Sequence, residues 1–255
     1  MDLRGKNVLV TGANGGIGAA LVTALLDRGA AKVYAGARTI AAVTQLSNGK
    51  QDRVVPFRLD ITYPSSVALA AEHHQDVDVL INNAGVNRCS CLLEPAGMES
   101  AEAEMKVNFF GTLAMCRAFA PVLASRKGVL VNVCSILGMV NLPVNGTYSA
   151  SKAAVHSLLQ GVRAELGPAG VRVVGVYPGP VDTRMTAGQE MPKATPDEVA
   201  AAILDGLEEG KEDIFPDAMS QEVYGQLVKD AKGVERGFAG SIPAPAAAAA
   251  TAAGA

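Results

Sequence analysis

Six short apolar runs recur along this 255-residue chain, and the stretches between them carry helical periodicity. The runs are NVLV (7–10), KVYA (32–35), RVVPF (53–57), DVDVLI (76–81), GVLVNV (128–133) and VRVVGV (171–176). Each is rich in β-branched residues and apolar along most of its length rather than at alternate positions. A strand needs that composition when helices cover both faces of its sheet. Helical stretches fall at 16–29, 39–47, 64–75, about 99–126 and 148–167. The alternation is the pattern of βαβ units and predicts an α/β fold with a parallel sheet. A shorter run, DIF (213–215), supplies a last strand, and a helix follows it. One domain is expected over 1–240. The remainder, SIPAPAAAAATAAGA (241–255), is Pro/Ala-rich, has no amphipathic face and is expected to be disordered.

Composition narrows the function classes. With 49% hydrophobic and 18% charged residues the chain can bury a large core. A net charge of −3 argues against a nucleic-acid binder that works by neutralising phosphates. No run of 18 apolar residues occurs, so no membrane partner is expected. The N-terminus, MDLRGKNVLVTG, enters a strand almost at once and leaves no room for a signal peptide. The cysteines Cys89, Cys91, Cys116 and Cys134 form no CxxC, and no Cys/His set has zinc spacing. Reduced thiols, a cytoplasmic location and no metal follow as expectations. In 99–126, Met105, Phe109, Leu113, Cys116 and Ala120 make a stripe facing the core or a second copy.

The loop TGANGGIG (11–18) lies between the first strand and the first helix. Gly12, Gly16 and Gly18 permit a tight turn and close approach of backbone to a pyrophosphate, and the helix start offers free N–H groups at its positive end. Asn14 and Ile17 lie in the same expected cradle. Its placement makes the loop a dinucleotide-binding turn; the bland alternative is a helix start without a ligand. In such folds a carboxylate roughly 20 residues past the glycines accepts the ribose hydroxyls of NAD. Here the second strand ends in Ala37 and then Arg38. No carboxylate repels a 2′-phosphate, and a guanidinium can clamp one. NADP(H) is expected in preference to NAD(H), the alternative being an ordinary surface arginine. Thr39 adds a hydroxyl contact or caps the next helix.

The stretch NGTYSASKAAV puts Tyr148 four residues before Lys152, on one face of a predicted helix. Alone, so short a motif proves little. In chain order the sequence also holds TGANGGIG (11–18), LDIT (59–62), NNAG (82–85), Asn108, Ser135 in NVCSILG, and YPGPVDT (177–183). Over residues 5–185 this set resembles the short-chain dehydrogenase/reductase family. The resemblance implies one doubly wound Rossmann-type domain with a seven-stranded, mostly parallel sheet in the order 3-2-1-4-5-6-7. It implies that Tyr148 is the general acid/base, with Lys152 lowering its pKa. It also implies that Ser135 polarises the substrate oxygen and that Asn108 holds a water linking Lys152 to solvent. Further cofactor contacts carry over at Asp60, Ile61, Asn82, Ala84, Gly85, Pro178, Gly179, Val181 and Thr183, besides Lys152 on the ribose.

The expected activity is NADP(H)-dependent reduction of a ketone or aldehyde to an alcohol, reversible, of the carbonyl reductase or alcohol dehydrogenase type. A non-catalytic dinucleotide-binding regulator is the alternative, and epimerase or dehydratase chemistry on a nucleotide sugar a third. Expected pocket residues Val86, Leu92, Leu137, Met139, Val140, Leu142, Met185 and Met191 are apolar and favour hydrophobic ketones. Many members end in a VDGG-like tail that completes a tetramer; this chain has EDIFPDAMSQEVYGQLVKDAKG there. A homodimer through 99–126 and 148–167 is therefore expected, with a tetramer as the alternative. His156 is read as structural, and His73 and His74 as solvated.

Overall fold

The structure, a computed structural model, describes residues 1–44, 46 and 52–242. Seven strands form one sheet: β1 Asn7–Thr11, β2 Lys32–Ala37, β3 Val54–Arg58, β4 Val79–Asn82, β5 Val129–Val133, β6 Arg172–Val176 and β7 Asp213–Ile214. Their order is β3-β2-β1-β4-β5-β6-β7, and every neighbouring pair is parallel. The helices are α1 Gly16–Asp27, α2 Ala41–Thr44, α3 Pro64–His73, α4 Gly97–Glu104, α5 Thr112–Arg126, α6 Gly146–Leu166, α7 Pro196–Glu208 and α8 Ala218–Ala239. This is the Rossmann-type fold and strand order expected.

Two cores explain why the strands read as continuous apolar runs. Successive strand residues point to opposite faces. Val8, Val10, Val79 and Ile81 join Leu21 and Leu25 of α1 and Val199, Ile203 and Leu207 of α7 on one side. Leu9, Leu80 and Leu130 join Met115 and Phe119 of α5 and Val155 and Leu159 of α6 on the other.

The long helix predicted at 99–126 is divided. Between α4 and α5 lies a π-helical segment, Met105–Gly111. A π turn takes in an extra residue, so a helical wheel drawn straight through it loses phase. Of the predicted stripe Met105, Phe109, Leu113, Cys116 and Ala120, only Cys116 is fully buried. The buried face runs instead through Glu104, Asn108, Gly111, Met115 and Phe119. By length and apolarity Gly97–Arg126 could cross a membrane, yet its inward side packs against the sheet.

Other expectations are corrected. The predicted helix 39–47 is described only as α2 and position 46; residues 45 and 47 lie outside the described residues, as does the predicted tail beyond Ile242. α7 was not anticipated, although Thr195 caps it, Glu198 completes a capping box and Pro196 opens it. His74 is not solvated. It is 7% exposed, bonds the Ala70 carbonyl through Nδ1 and packs between Tyr34 and Phe57, whose rings offer more contact than water does.

Phe119 is fully enclosed between α5 and the sheet. Phe119→Ala is expected to lower the unfolding free energy by about 3–5 kcal/mol, read as a shift in urea midpoint at unchanged slope.

Candidate active site

Every expected site residue other than Asn108, Tyr148 and Lys152 lies at or just beyond the C-terminal end of a strand. β1 and β4 are neighbours, but their following connections leave for opposite sides of the sheet, which opens a crevice between them. The turns after β1 and β4 are locked together there. Thr11 Oγ1 accepts from the Asn83 and Ala84 amides, both at 3.0 Å. Asn83 Nδ2 donates to the carbonyls of Thr11 at 3.0 Å and Gly12 at 3.2 Å.

α1 rises from this turn with no side-chain cap and no acidic residue in its first turn. Its first amides have no intrahelical partner, and the positive end of the helix favours an anion there. Gly16 has φ +52°, and a Cβ there would lie 2.9 Å from Thr183 Cγ2. A Cβ on Gly18 would lie 2.2 Å from the Gly12 carbonyl, so only glycine lets the helix start this close to the strand. Asn14 and Ile17 are half-buried in the same loop. The exposed Arg184 brings Nη2 to within 3.3 Å of where a Cβ on Gly15 would stand. No sequence motif singled out Arg184.

The side of the crevice beyond β2 and β3 is charged. Arg38 and Thr39 are exposed just past β2. Burial alone raises the pKa of Asp60. Hydrogen bonds from the Thr62 hydroxyl and amide, with the charges of Arg38 and Lys106, outweigh it and hold the carboxyl below its usual range. Ile61 is buried against Gly111 of the π-helical segment. Asn82 faces inward: its Nδ2 donates to Asn132 Oδ1 at 2.7 Å and to Cys116 Sγ at 3.6 Å. Asn83, missed by the sequence reading, makes the contacts that hold the crevice turn. Its signal was the adjacent pair of asparagines directly after a strand.

The expected catalytic residues lie on the other side of Gly85. A Cβ on Gly85 would lie 3.2 Å from Asn108 Oδ1 and 3.7 Å from Lys152 Nζ. Asn108 bonds through both polar atoms of its side chain. Its Oδ1 accepts from the Val86 amide, and its Nδ2 donates to the Val86 carbonyl and to Ser151 Oγ, all at 2.9 Å. α6 begins two residues earlier than predicted, and its buried face presents Tyr148, Ser151, Lys152 and Val155. Lys152 Nζ donates to the Val133 carbonyl at 3.0 Å and sits 5.6 Å from the centre of the Tyr148 ring. Burial pushes its pKa down, partly opposed by the neighbouring Cys134. Ser135 Oγ lies beside the Tyr148 phenol, accepts from the Leu137 amide at 3.1 Å and reaches the Pro178 carbonyl at 3.4 Å.

Burial raises the Tyr148 phenol above its ordinary value, with Cys134, Glu104 and Cys89 adding to the effect and Ser135 opposing it. The lowering expected from Lys152 does not prevail among the protein's own groups. The ammonium lies over the ring face, and the loss of water around the oxygen dominates.

Past β6, Gly179 donates its amide to Asp217 at 2.8 Å, and the Pro178 carbonyl accepts from the Ile136 amide at 3.0 Å. Val181 is buried, and its carbonyl accepts from Thr186 Oγ1 at 2.6 Å. Thr183 caps the turn Arg184–Thr186. His156 is structural as expected: its Nδ1 meets the Tyr177 hydroxyl at 2.9 Å.

Several known proteins are similar to this chain. A family model described as short chain dehydrogenase matches residues 6–193. An uncharacterized oxidoreductase of Staphylococcus saprophyticus is 33% identical over 82% of this chain and 94% of its own. The NADPH-dependent 1-acyldihydroxyacetone phosphate reductase of Saccharomyces cerevisiae is 35% identical over 74% of this chain and 66% of its own. The crystal structure of a short chain dehydrogenase from Burkholderia cenocepacia in complex with NADP is 45% identical. It superposes with a TM-score of 0.89, covering 93% of this chain and 99% of that one.

Because burial holds the Tyr148 proton, a difference titration of tyrosinate absorbance between the wild type and Tyr148→Phe is expected to show no ionisation of this residue near pH 10, where an ordinary tyrosine titrates.

Proposed function

The chain belongs to the short-chain dehydrogenase/reductase family, and on that premise we propose that it reduces a ketone or aldehyde to an alcohol with NADP(H), reversibly. The observation that carries this reading is the convergence of Ser135 on the Tyr148 phenol and of Lys152 on its ring, with Lys152 and Asn108 both beside Gly85. A dinucleotide-binding regulator has no need of this cluster.

The residues fit the dinucleotide. The uncapped start of α1, with Arg184 beside Gly15, suits a pyrophosphate. Arg38 suits a 2′-phosphate, since no carboxylate follows β2 directly. Asp60 spends Oδ1 on Thr62 and keeps Oδ2 for an adenine amine. When bound, the reduced nicotinamide supplies the hydride.

The chain's own groups do the rest. Ser135 donates a hydrogen bond to the substrate oxygen and draws electron density from the carbonyl carbon. Tyr148, held protonated by burial, gives that oxygen its proton. Lys152 stabilises the phenolate that results, as a buried cation close to the ring. Asn108 Oδ1 accepts one bond, from the Val86 amide, and keeps a second lone pair for a water that links Lys152 to solvent.

The substrate is an apolar ketone. Val86, Leu137, Met139 and Leu142 are half-buried and Val140 is buried, while Met185, Met191 and Leu92 are exposed. The yeast relative, named for an acylated dihydroxyacetone phosphate, points the same way. The chain pairs as a homodimer. Exposed Phe110, with Leu113, Pro64 and Ala68, lines an apolar groove of about 460 Å³ between α3 and α5 that a second copy covers. Light scattering is expected to give twice the chain mass; a monomer would refute the pairing.

The functional test combines binding and turnover. NADPH is expected to bind at least tenfold tighter than NADH, and Arg38→Ala to lose that margin, about 1.4 kcal/mol. Tyr148→Phe is expected to bind NADPH like the wild type yet reduce ketones at least about 10²-fold more slowly. Equal or tighter binding of NADH would overturn the cofactor assignment, and undiminished turnover by Tyr148→Phe the mechanism.

A further inference from the structure

Asp217 belongs to none of the sequence motifs above. It stands between β7 and α8 and is only 9% exposed. Its carboxylate serves two elements. Oδ1 accepts from the Ser220 amide at 2.9 Å and caps α8. Oδ2 leaves the helix and accepts from the Gly179 amide at 2.8 Å, in the loop after β6. The carbonyl of the same peptide, Pro178 O, accepts from the Ile136 amide at 3.0 Å and from Ser135 Oγ at 3.4 Å. One peptide unit is thus gripped at both ends, by the start of α8 and by the segment that carries Ser135.

The fit around that peptide is tight. A Cβ on Gly179 would stand 2.7 Å from Asp217 Oδ1 and 3.4 Å from Met219 Cβ. Helix capping alone does not call for such a residue, since serine or asparagine caps as well. A buried carboxylate is a costly choice unless both oxygens are engaged, and here the second partner is the Gly179 amide. α8 holds the other side too, because Val223 and Val234 pack with Ile136 and Val140 in one cluster.

We propose that Asp217 is a positioning residue for hydride transfer: it fixes the Pro178–Gly179 peptide against the nicotinamide and makes the start of α8 part of the active site. The position of the nicotinamide rests on the function proposed above; the clamp itself does not.

Asp217→Asn is the discriminating variant. The asparagine keeps its size and one acceptor for the Ser220 amide, but it turns an NH2 group toward the Gly179 N–H, so the cap survives and the clamp fails. Ser220→Ala is the control, because it removes Ser220 Oγ from the start of α8 and leaves both carboxylate bonds to main-chain amides. Amide hydrogen exchange of the protein without cofactor is expected to be at least tenfold faster at Gly179 in Asp217→Asn, and unchanged there in Ser220→Ala. With NADPH and a ketone, Asp217→Asn is expected to lower kcat about tenfold and to enlarge the isotope effect from 4-deuterated NADPH. Ser220→Ala is expected to keep both at wild-type values and to lower only the melting temperature. Unchanged Gly179 exchange in Asp217→Asn overturns the clamp. Faster exchange with unaltered kcat and isotope effect overturns its role in hydride transfer. A wild-type protein that neither binds nor oxidises NADPH defeats the function proposed above instead, and the exchange measurement still decides the clamp.

Discussion

The crevice at the centre of this protein depends on one small hydrogen-bonded knot. Thr11 receives two amides from the turn after β4, and Asn83 returns two donors to the turn after β1. Both turns sit where the chain's connections diverge, so no regular ladder joins them. The knot replaces that ladder with side chains. It sets the distance between the glycine loop and Gly85, and Gly85 in turn abuts Asn108 and Lys152. The start of α1 and the cluster of Ser135, Tyr148 and Lys152 therefore share one rigid reference.

Charge inside the site is held back rather than displayed. Burial disfavours the phenolate of Tyr148 and the ammonium of Lys152 alike. The tyrosine therefore keeps its proton well beyond neutral pH. The lysine keeps its place through a main-chain carbonyl and the ring face, and among the described residues no carboxylate is bonded to it. A carboxylate beside it would neutralise the charge that a phenolate needs.

Two irregular elements carry much of the site's precision. The π-helical segment puts Asn108 on the inner face with its side chain bound to Val86 on both its amide and carbonyl. The start of α8 reaches across the sheet edge to the loop after β6. Both are far in sequence from what they hold: 22 residues separate Asn108 from Val86, and 38 separate Asp217 from Gly179.

Much of the fold was legible along the chain. The seven strands lie close to the predicted runs because a strand covered on both faces must be apolar throughout, and that signal is local. The glycine loop and the pairing of Tyr148 with Lys152 were legible for the same reason: a tight turn and an i,i+4 face are properties of a few neighbouring residues. The π register of 105–111, the inward turn of Asn82, the clamp by Asn83 and the grip of Asp217 on Gly179 were not. Each depends on which polar group a buried side chain meets across the fold. The sequence by itself determined the sheet, the glycine loop and the placing of Tyr148 and Lys152 on one helix face. Only the tertiary structure decided their spacing and the protonation that burial imposes on Tyr148, because desolvation and hydrogen-bond partners come from residues that are neighbours in space alone.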